Sequence, residues 1–105
     1  MIRVDTARTR LQDALNAVDI FMSTDRATNA DPIEINLLRK FRHQLVAMLD
    51  SIEGQAIRNP VPDSGMGHAI VDHWPIPENS PADVELNTVV RKVMEADGAY
   101  YRAVK

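Results

Sequence analysis

Two histidines and one aspartate, His68, Asp72 and His73, stand within six residues of one another in the second half of the chain. Imidazole nitrogens and carboxylate oxygens are ligands that divalent transition metals accept, and the same groups can act as general acids and bases. The surrounding proline and glycine residues predict a loop or an extended segment. In an extended segment, His68 and Asp72 face one side and His73 faces the other. The spacing therefore weakens a shared metal or catalytic site, and exposed polar residues without a common focus are the alternative.

A third histidine, His43, lies in a segment whose apolar residues recur at helical spacing. Helix geometry directs it away from the apolar side, so we expect an exposed side chain. An exposed histidine on a helix suggests a phosphoacceptor, as in histidine phosphotransfer bundles. Its neighbours, Lys40 to Leu45, lack the small residues and glycine that are typical of that site. A solvated helix face is therefore the alternative interpretation.

Arg39 and Arg42 point to one flank of the same predicted helix and form a small basic patch with Lys40 and His43. Their spacing suits an acidic protein surface or a phosphate group. A solvated helix face would have the same composition. The patch has no interleaved aromatic residues and the formal net charge of the chain is −3, so nucleic acid is disfavoured as a partner.

The aromatic residues are few, with one tryptophan, two tyrosines and two phenylalanines. We expect Trp74 to anchor a long segment across the helices. Tyr100 and Tyr101 close the last predicted helix and precede Arg102, a composition that is typical of an interface hot spot. Because consecutive helical residues point about 100° apart, one tyrosine can pack while the other faces outward. An amphipathic helix end that only packs internally would look the same.

Several other kinds of site are excluded or lack support. The chain contains no cysteine, which excludes disulfides, thiolate metal ligands and a cysteine nucleophile. No serine lies in a G-x-S-x-G context, and no glycine-rich phosphate loop follows a predicted strand. We therefore expect no cofactor.

The element that must position these residues is a central helix predicted over residues 32–57. Asp31 is a suitable N-cap, Pro32 suits the first helical position and Glu34 completes a capping box. The apolar residues of this helix span an arc of about 220°, whereas a helix on a surface needs only about 100°. The helix should therefore bury two faces, against other helices or against another copy of the chain. The arc consists of Ile33, Ile35, Leu37, Leu38, Phe41, Leu45, Val46, Met48, Leu49 and Ile52.

Two further helices are predicted, over about residues 6–23 and 81–103. A short polar connection after the first makes it an antiparallel neighbour of the central helix. Four prolines and two glycines predict that no helix persists in the strap, residues 58–80. The sequence thus predicts an all-α fold: a three-helix bundle formed by an antiparallel helical hairpin and a C-terminal helix, with a long Pro/Gly-rich strap between helices 2 and 3.

Length and hydropathy indicate the number of domains and the location of the protein. The 105 residues are expected to form a single helical domain, 1–105. No apolar run approaches the roughly 20 residues of a membrane-spanning helix, so no membrane is expected. No apolar segment typical of a signal peptide follows the first residues, which favours the cytoplasm.

Three functional hypotheses follow from these patterns. We favour a small non-enzymatic protein–protein interaction module, an adaptor, regulator or assembly component that acts through helix packing. Its partner would be another protein or a second copy in a homodimer, bound through Trp74, Tyr100, Tyr101, Arg39 or Arg42. One alternative is a metal-dependent or acid–base enzyme that uses the histidine–aspartate cluster, and the other is a phosphoacceptor at His43.

Overall fold

The computed structural model describes residues 2–25, 31–63, 65–73 and 84–104, with the side chains of Ile2, Val71, His73 and Val84 excepted. Helices dominate these ranges, which confirms the predicted all-α class. The elements in chain order are α1 (Ile2–Met22), α2 (Pro32–Asp50), β1 (Ile52–Glu53), β2 (Ala56–Ile57), α3 (Met66–His73) and α4 (Val84–Val104).

The start of α2 follows the predicted capping box. The Ile33 backbone N–H donates to Asp31 Oδ1 at 2.8 Å, and the Asp31 N–H donates to Glu34 Oε1 at 3.3 Å. Pro32 occupies the first turn, where its missing N–H leaves no helical hydrogen bond unmade. Two of the N–H groups at this helix end are therefore satisfied by residues of the same turn.

The predicted end of this helix at residue 57 is wrong, because α2 ends at Asp50. Ser51 caps it, and the chain then turns into a short antiparallel ladder that pairs Ile52 with Ile57. Gly54 makes the turn with a φ of +61°, a left-handed conformation that glycine adopts at little cost. Arg58, directly after β2, forms an exposed ion pair with Glu53.

The prediction that no helix persists in the strap is also wrong, because residues 66–73 form α3. Asp63 Oδ1 accepts a hydrogen bond from the Gly65 N–H at 2.8 Å, and the Ala69 N–H donates to the Gly65 carbonyl at 2.9 Å. Met66 and Ile70, one helical turn apart, are both buried. Burial of this pair supports a helix that is too short to be stable in isolation.

The start of the first helix also differs from the prediction. The first helix begins at Ile2 rather than at residue 6, so Asp5 lies in its first turn, where it accepts a hydrogen bond from Arg8. The described part of the last helix runs from Val84 to Val104. Its predicted start at residue 81 lies outside the described residues.

The core lies between α1 and α4, which make the most extensive contact in the molecule. Two ion pairs, Arg10–Glu95 and Lys92–Asp13, show that these helices are antiparallel, since the order of the partners is reversed along α4. The predicted antiparallel packing of α1 and α2 is confirmed by their contact. The core cluster contains Leu11, Ala14, Val18 and Phe21 of α1, Leu38, Phe41, Leu45 and Met48 of α2, Met66 and Ile70 of α3, and Leu86, Val89, Val90, Val93, Ala96 and Tyr100 of α4.

Candidate functional site

The histidine–aspartate cluster is carried by α3. His68 and Asp72 are exposed and lie one helical turn apart, on the same side of the helix. They therefore share a face, as predicted, although in a helix rather than in an extended segment. The backbone of His73 is helical, and its side chain lies outside the described part of the structure. Within the described residues, no three histidine, aspartate or glutamate side chains are placed to hold a metal ion.

The two predicted arginines and His43 lie on α2 and are all exposed. Arg42 Nε donates to Asp19 Oδ1 of α1 at 2.6 Å, and this hydrogen bond raises the pKa of the guanidinium. Arg39 has no ion-pair partner among the described side chains. The described residues therefore neutralise the basic patch only in part.

Ile35 and Val46 extend the line of the two arginines along α2. The four positions are spaced i, i+4, i+7 and i+11, which places them on one side of a helix. Ile35 and Val46 are half-buried. We call Ile35, Arg39, Arg42 and Val46 the α2 stripe. It combines two aliphatic ends with two guanidinium groups at its centre.

The other flank of α2 also leaves apolar surface exposed. Ile33, one of the predicted core residues, is 57% exposed. Only Leu38, Phe41, Leu45 and Met48 of α2 are buried. The described residues thus cover one face of an apolar arc that was expected to bury two.

Tyr100 is fully buried and does not lie at a free surface. The Val61 N–H donates to Tyr100 Oη at 3.0 Å, and Ser51 Oγ lies 2.7 Å from the same oxygen. Because Ser51 Oγ donates to the Met48 carbonyl at 2.6 Å, the tyrosine hydroxyl must donate to the serine. The result is a chain of three hydrogen bonds from the strap through α4 to the end of α2.

Tyr101 holds the same strap residue from the other side. Its hydroxyl donates to the Val61 carbonyl at 2.9 Å, so the two tyrosines bind both backbone groups of Val61. The rings meet edge to face with centroids 5.0 Å apart. Burial and the nearby Asp63 and Asp97 carboxylates raise the pKa of Tyr101 to about 12. We call Tyr100, Tyr101, Val61 and Ser51 the tyrosine clamp.

The tyrosine clamp changes the interpretation of the aromatic pair. The sequence allowed one packed and one outward-facing tyrosine, or a helix end that packs only internally, and both hydroxyls form hydrogen bonds to described residues of the chain. Tyr100 cannot contact a partner while the structure stays folded in this way, and Tyr101 is only half-exposed. Trp74, the predicted anchor of the strap, lies outside the described residues.

A polar groove between α1 and α4 was not anticipated from the sequence. It is lined by Thr6 and Thr9 together with the Arg10–Glu95 and Lys92–Asp13 pairs. These ion pairs span 2.9 and 3.9 Å, so the charges of the groove largely neutralise one another. The groove is wide and open to solvent, and it offers no converging reactive groups.

Asp97 is a second feature that sequence reasoning missed. Its Oδ1 atom is buried without a hydrogen-bond partner in the described ranges. Burial raises the pKa of this carboxyl, and the nearby Asp63 raises it further. A signal was present in the sequence, because Asp97 follows Val93 by four positions and precedes Tyr100 by three, within the apolar face of the helix.

None of the described helices combines the length and the apolar character that crossing a membrane requires. A comparison of the chain with protein-family models, with curated proteins and with solved structures finds no match.

Proposed function

We propose that this chain is a non-enzymatic protein–protein interaction module that binds a partner through the α2 stripe. The observation that carries the proposal is the uncovered apolar surface of α2. Leu38, Phe41, Leu45 and Met48 fill the core, whereas Ile35 and Val46 remain half-exposed on the side where the arginines lie. Ile35 packs against the core cluster with part of its surface, whereas Val46 does not pack against that cluster in the described part of the chain.

The charge of the α2 stripe indicates the chemistry of the partner. Arg39 is exposed between the two aliphatic ends, and no described carboxylate neutralises it. A partner helix that carries acidic side chains between apolar ones fits this stripe. Its apolar side chains would cover the aliphatic ends of the stripe, and its carboxylates would pair with the central guanidinium groups. The partner that fits is therefore an acidic amphipathic helix.

The same charges disfavour a homodimer through this surface. The two aliphatic residues of the stripe and its two arginines are centred on the same point of α2. In an antiparallel pairing about a twofold axis through that point, Arg39 of one copy would therefore approach Arg42 of the other. In a parallel pairing each arginine would face its own counterpart. Like charges placed together across an interface oppose association. We therefore expect a monomer that binds a different protein.

The direct test is a binding titration followed by amide chemical shifts. The probes are two designed amphipathic peptides with the same leucine spacing, one with glutamates and the other with lysines on the polar positions. We expect the glutamate peptide to shift amides of α2 near the stripe and the lysine peptide to leave them unchanged. High salt should weaken the binding, since it screens exposed charges.

A matched pair of variants localises the contact. Arg39→Glu should weaken binding of the glutamate peptide roughly tenfold or more, because it replaces attraction by repulsion. Lys40→Glu makes the same change of charge on the next residue, which points about 100° away, and should cause a much smaller loss. Equal losses in both variants, or equal binding of the two peptides, would contradict the proposal.

Light scattering over a dilution series tests whether the α2 stripe instead forms a homodimer. A mass that stays at 11.8 kDa agrees with the proposal. A dimer that Val46→Asp converts to a monomer would show that the α2 stripe is a self-interface, and the heterologous partner would then be ruled out for this face.

A further inference from the structure

Asp97 is an acidic side chain placed within the apolar face of α4. Val93, one turn before it, and Tyr100, nearly one turn after it, are both fully buried. Its Oδ1 atom is excluded from solvent and has no hydrogen-bond partner among the described residues. An ionised carboxylate without a partner is disfavoured in such a place, since it loses hydration and gains no hydrogen bond in return.

The element that covers this carboxylate is the first turn of α3. A Cβ built at Gly67 would lie 3.8 Å from Asp97 Oδ2, which is van der Waals contact. Met66 and Ile70 hold α3 in place by packing into the core. Removal of α3 from α4 would therefore expose this partly buried carboxylate more fully to water, so ionisation of Asp97 and docking of α3 oppose each other.

Among the described residues, the neighbouring charge that shifts the pKa of Asp97 is a negative one. Asp63 of the strap has the same sign as Asp97 and raises its pKa, in addition to the effect of burial. None of the ion pairs formed within the described ranges involves Asp97. The N-terminal end of α3 favours a negative charge, which acts in the opposite direction. That effect leaves Oδ1 without a donor.

The elements packed around Asp97 contribute these other titratable or charged groups. On α4 they are Tyr100, Tyr101 and Arg102, whose guanidinium lies close to the adjacent Gly98. Gln44 of α2 is uncharged and donates to the Pro62 carbonyl. On α3, the next side chain after Gly67 is His68, which is exposed. The N-terminal part of α1 lies beside the C-terminal part of α4 and carries Arg8, which donates hydrogen bonds to Asp5 and to the Gly54 carbonyl.

We infer that Asp97 is a proton-dependent latch, which retains α3 on α4 while it is neutral and loosens α3 when it ionises. The direction follows from linkage, because the docked state binds the proton more tightly than the undocked state. Docking is strongest below the ordinary pKa of an aspartate, about 3.9. It weakens as the pH rises from there through the raised pKa of the docked state.

The test is hydrogen exchange of the Ala69 amide, the donor of a hydrogen bond in the first turn of α3. We expect its protection factor to fall with rising pH, about tenfold for each unit by which docking raises the pKa of Asp97. Amides of the core, such as that of Val93, should keep their protection over the same range. Fluorescence of Trp74, which directly follows α3 in the sequence, gives a second reading of the same transition.

Asp97→Asn is the central variant, since asparagine imitates the neutral acid. It should abolish the pH dependence and keep Ala69 at the protection seen at low pH. Asp72→Asn, which removes an exposed carboxylate from α3 itself, is the matched control and should retain the wild-type transition. The inference is overturned if Asp97→Asn keeps the pH dependence or lowers the protection of Ala69 at every pH.

Asp63→Asn provides an independent test in a protein that keeps its native Asp97. The asparagine retains an oxygen that can accept the Gly65 N–H, while the neighbouring negative charge is lost. The midpoint of the transition should move to lower pH. An unchanged midpoint would contradict the inference even if Asp97→Asn fails to fold.

Discussion

The contact between α1 and α4 and the tyrosine clamp hold the same helix α4 by different means. The first is a long apolar seam in which Leu11, Val18 and Val93 are fully buried. The second is a compact set of hydrogen bonds by which two tyrosines hold the backbone of one strap residue. The seam is stabilised by apolar surface that is removed from water. The clamp is stabilised by hydrogen bonds to backbone and hydroxyl groups that would otherwise lack partners.

Because the two contacts are stabilised in different ways, amino-acid substitutions should affect them differently. An apolar seam loses energy in proportion to the atoms removed and to the cavity that remains. A hydrogen-bonded clamp depends on single atoms, because removal of the Tyr100 hydroxyl takes the acceptor from the Val61 N–H and the donor from Ser51 Oγ. The four substitutions below separate these behaviours, in order of decreasing expected effect.

Leu11→Ala should have the largest effect. Leu11 is fully buried in the seam, so the substitution should lower the free energy of unfolding by about 2–5 kcal/mol. Chemical denaturation followed by circular dichroism measures this loss. Leu15→Ala, at a half-buried position of the same helix, is the control and should cost less. Equal losses at both positions would show that the seam is not the main source of stability.

Tyr100→Phe should lower the free energy of unfolding by about 1–3 kcal/mol, because the Val61 N–H loses its acceptor and Ser51 Oγ loses its donor. The ring remains, so the apolar packing is preserved. The same denaturation measurement applies. A loss below about 0.5 kcal/mol would mean that solvent replaces the hydroxyl and that the clamp is not a buried network.

Tyr101→Phe should cost about 0.5–1.5 kcal/mol, since it removes one hydrogen bond to the Val61 carbonyl in a half-buried place. The double variant with Tyr100→Phe sharpens the comparison. Because both tyrosines bind the same strap residue, the two losses should not be additive. Strict additivity would indicate that the two hydroxyls hold the strap independently.

Arg10→Gln should have the smallest effect, about 0.2–1 kcal/mol, because its ion pair with Glu95 is exposed to solvent. The loss should shrink as salt is added. A salt-independent loss larger than about 2 kcal/mol would show that this rim of the seam contributes packing as well as charge.

Local sequence signals predicted the beginning of α2 better than its end. Asp31, Pro32 and Glu34 act within a single turn, so the start of α2 could be predicted from adjacent residues. The end of α2 depends on pairing between Ile52 and Ile57, and on Arg8, which reaches from α1 to the Gly54 carbonyl. No local pattern reveals a donor 46 residues away.

The short helix α3 was missed for a related reason. Its flanking prolines and glycines correctly predict interruptions, and eight residues are too few to form a stable helix alone. Burial of Met66 and Ile70 in a core built by other elements supplies the missing energy. The helix also alters the candidate site, because it brings His68 and Asp72 within one turn of each other.

The candidate surfaces also combine features that local sequence predicts with features that depend on distant residues. Exposure of His43 followed from helical periodicity, since it lies opposite the apolar arc, whereas Arg39 and Arg42 lie on the flank that they share with Ile35 and Val46. The sequence did not reveal that Asp19 neutralises Arg42 while no described carboxylate pairs with Arg39. The roles of Tyr100 and Tyr101 were equally hidden, because their partner in the strap is about 40 residues away.

The sequence by itself determined the helical class, the cap of α2, the apolar faces and the positions that face outward. These properties depend on residues within one or two helical turns, where propensity and periodicity act directly. The tertiary structure decided where α2 ends, that the strap contains a helix, which tyrosine oxygens hold Val61, and that Asp97 lies beneath α3. Each of these depends on atoms that are distant in the chain and meet only when the core has formed, so burial and hydrogen-bond satisfaction determine the outcome.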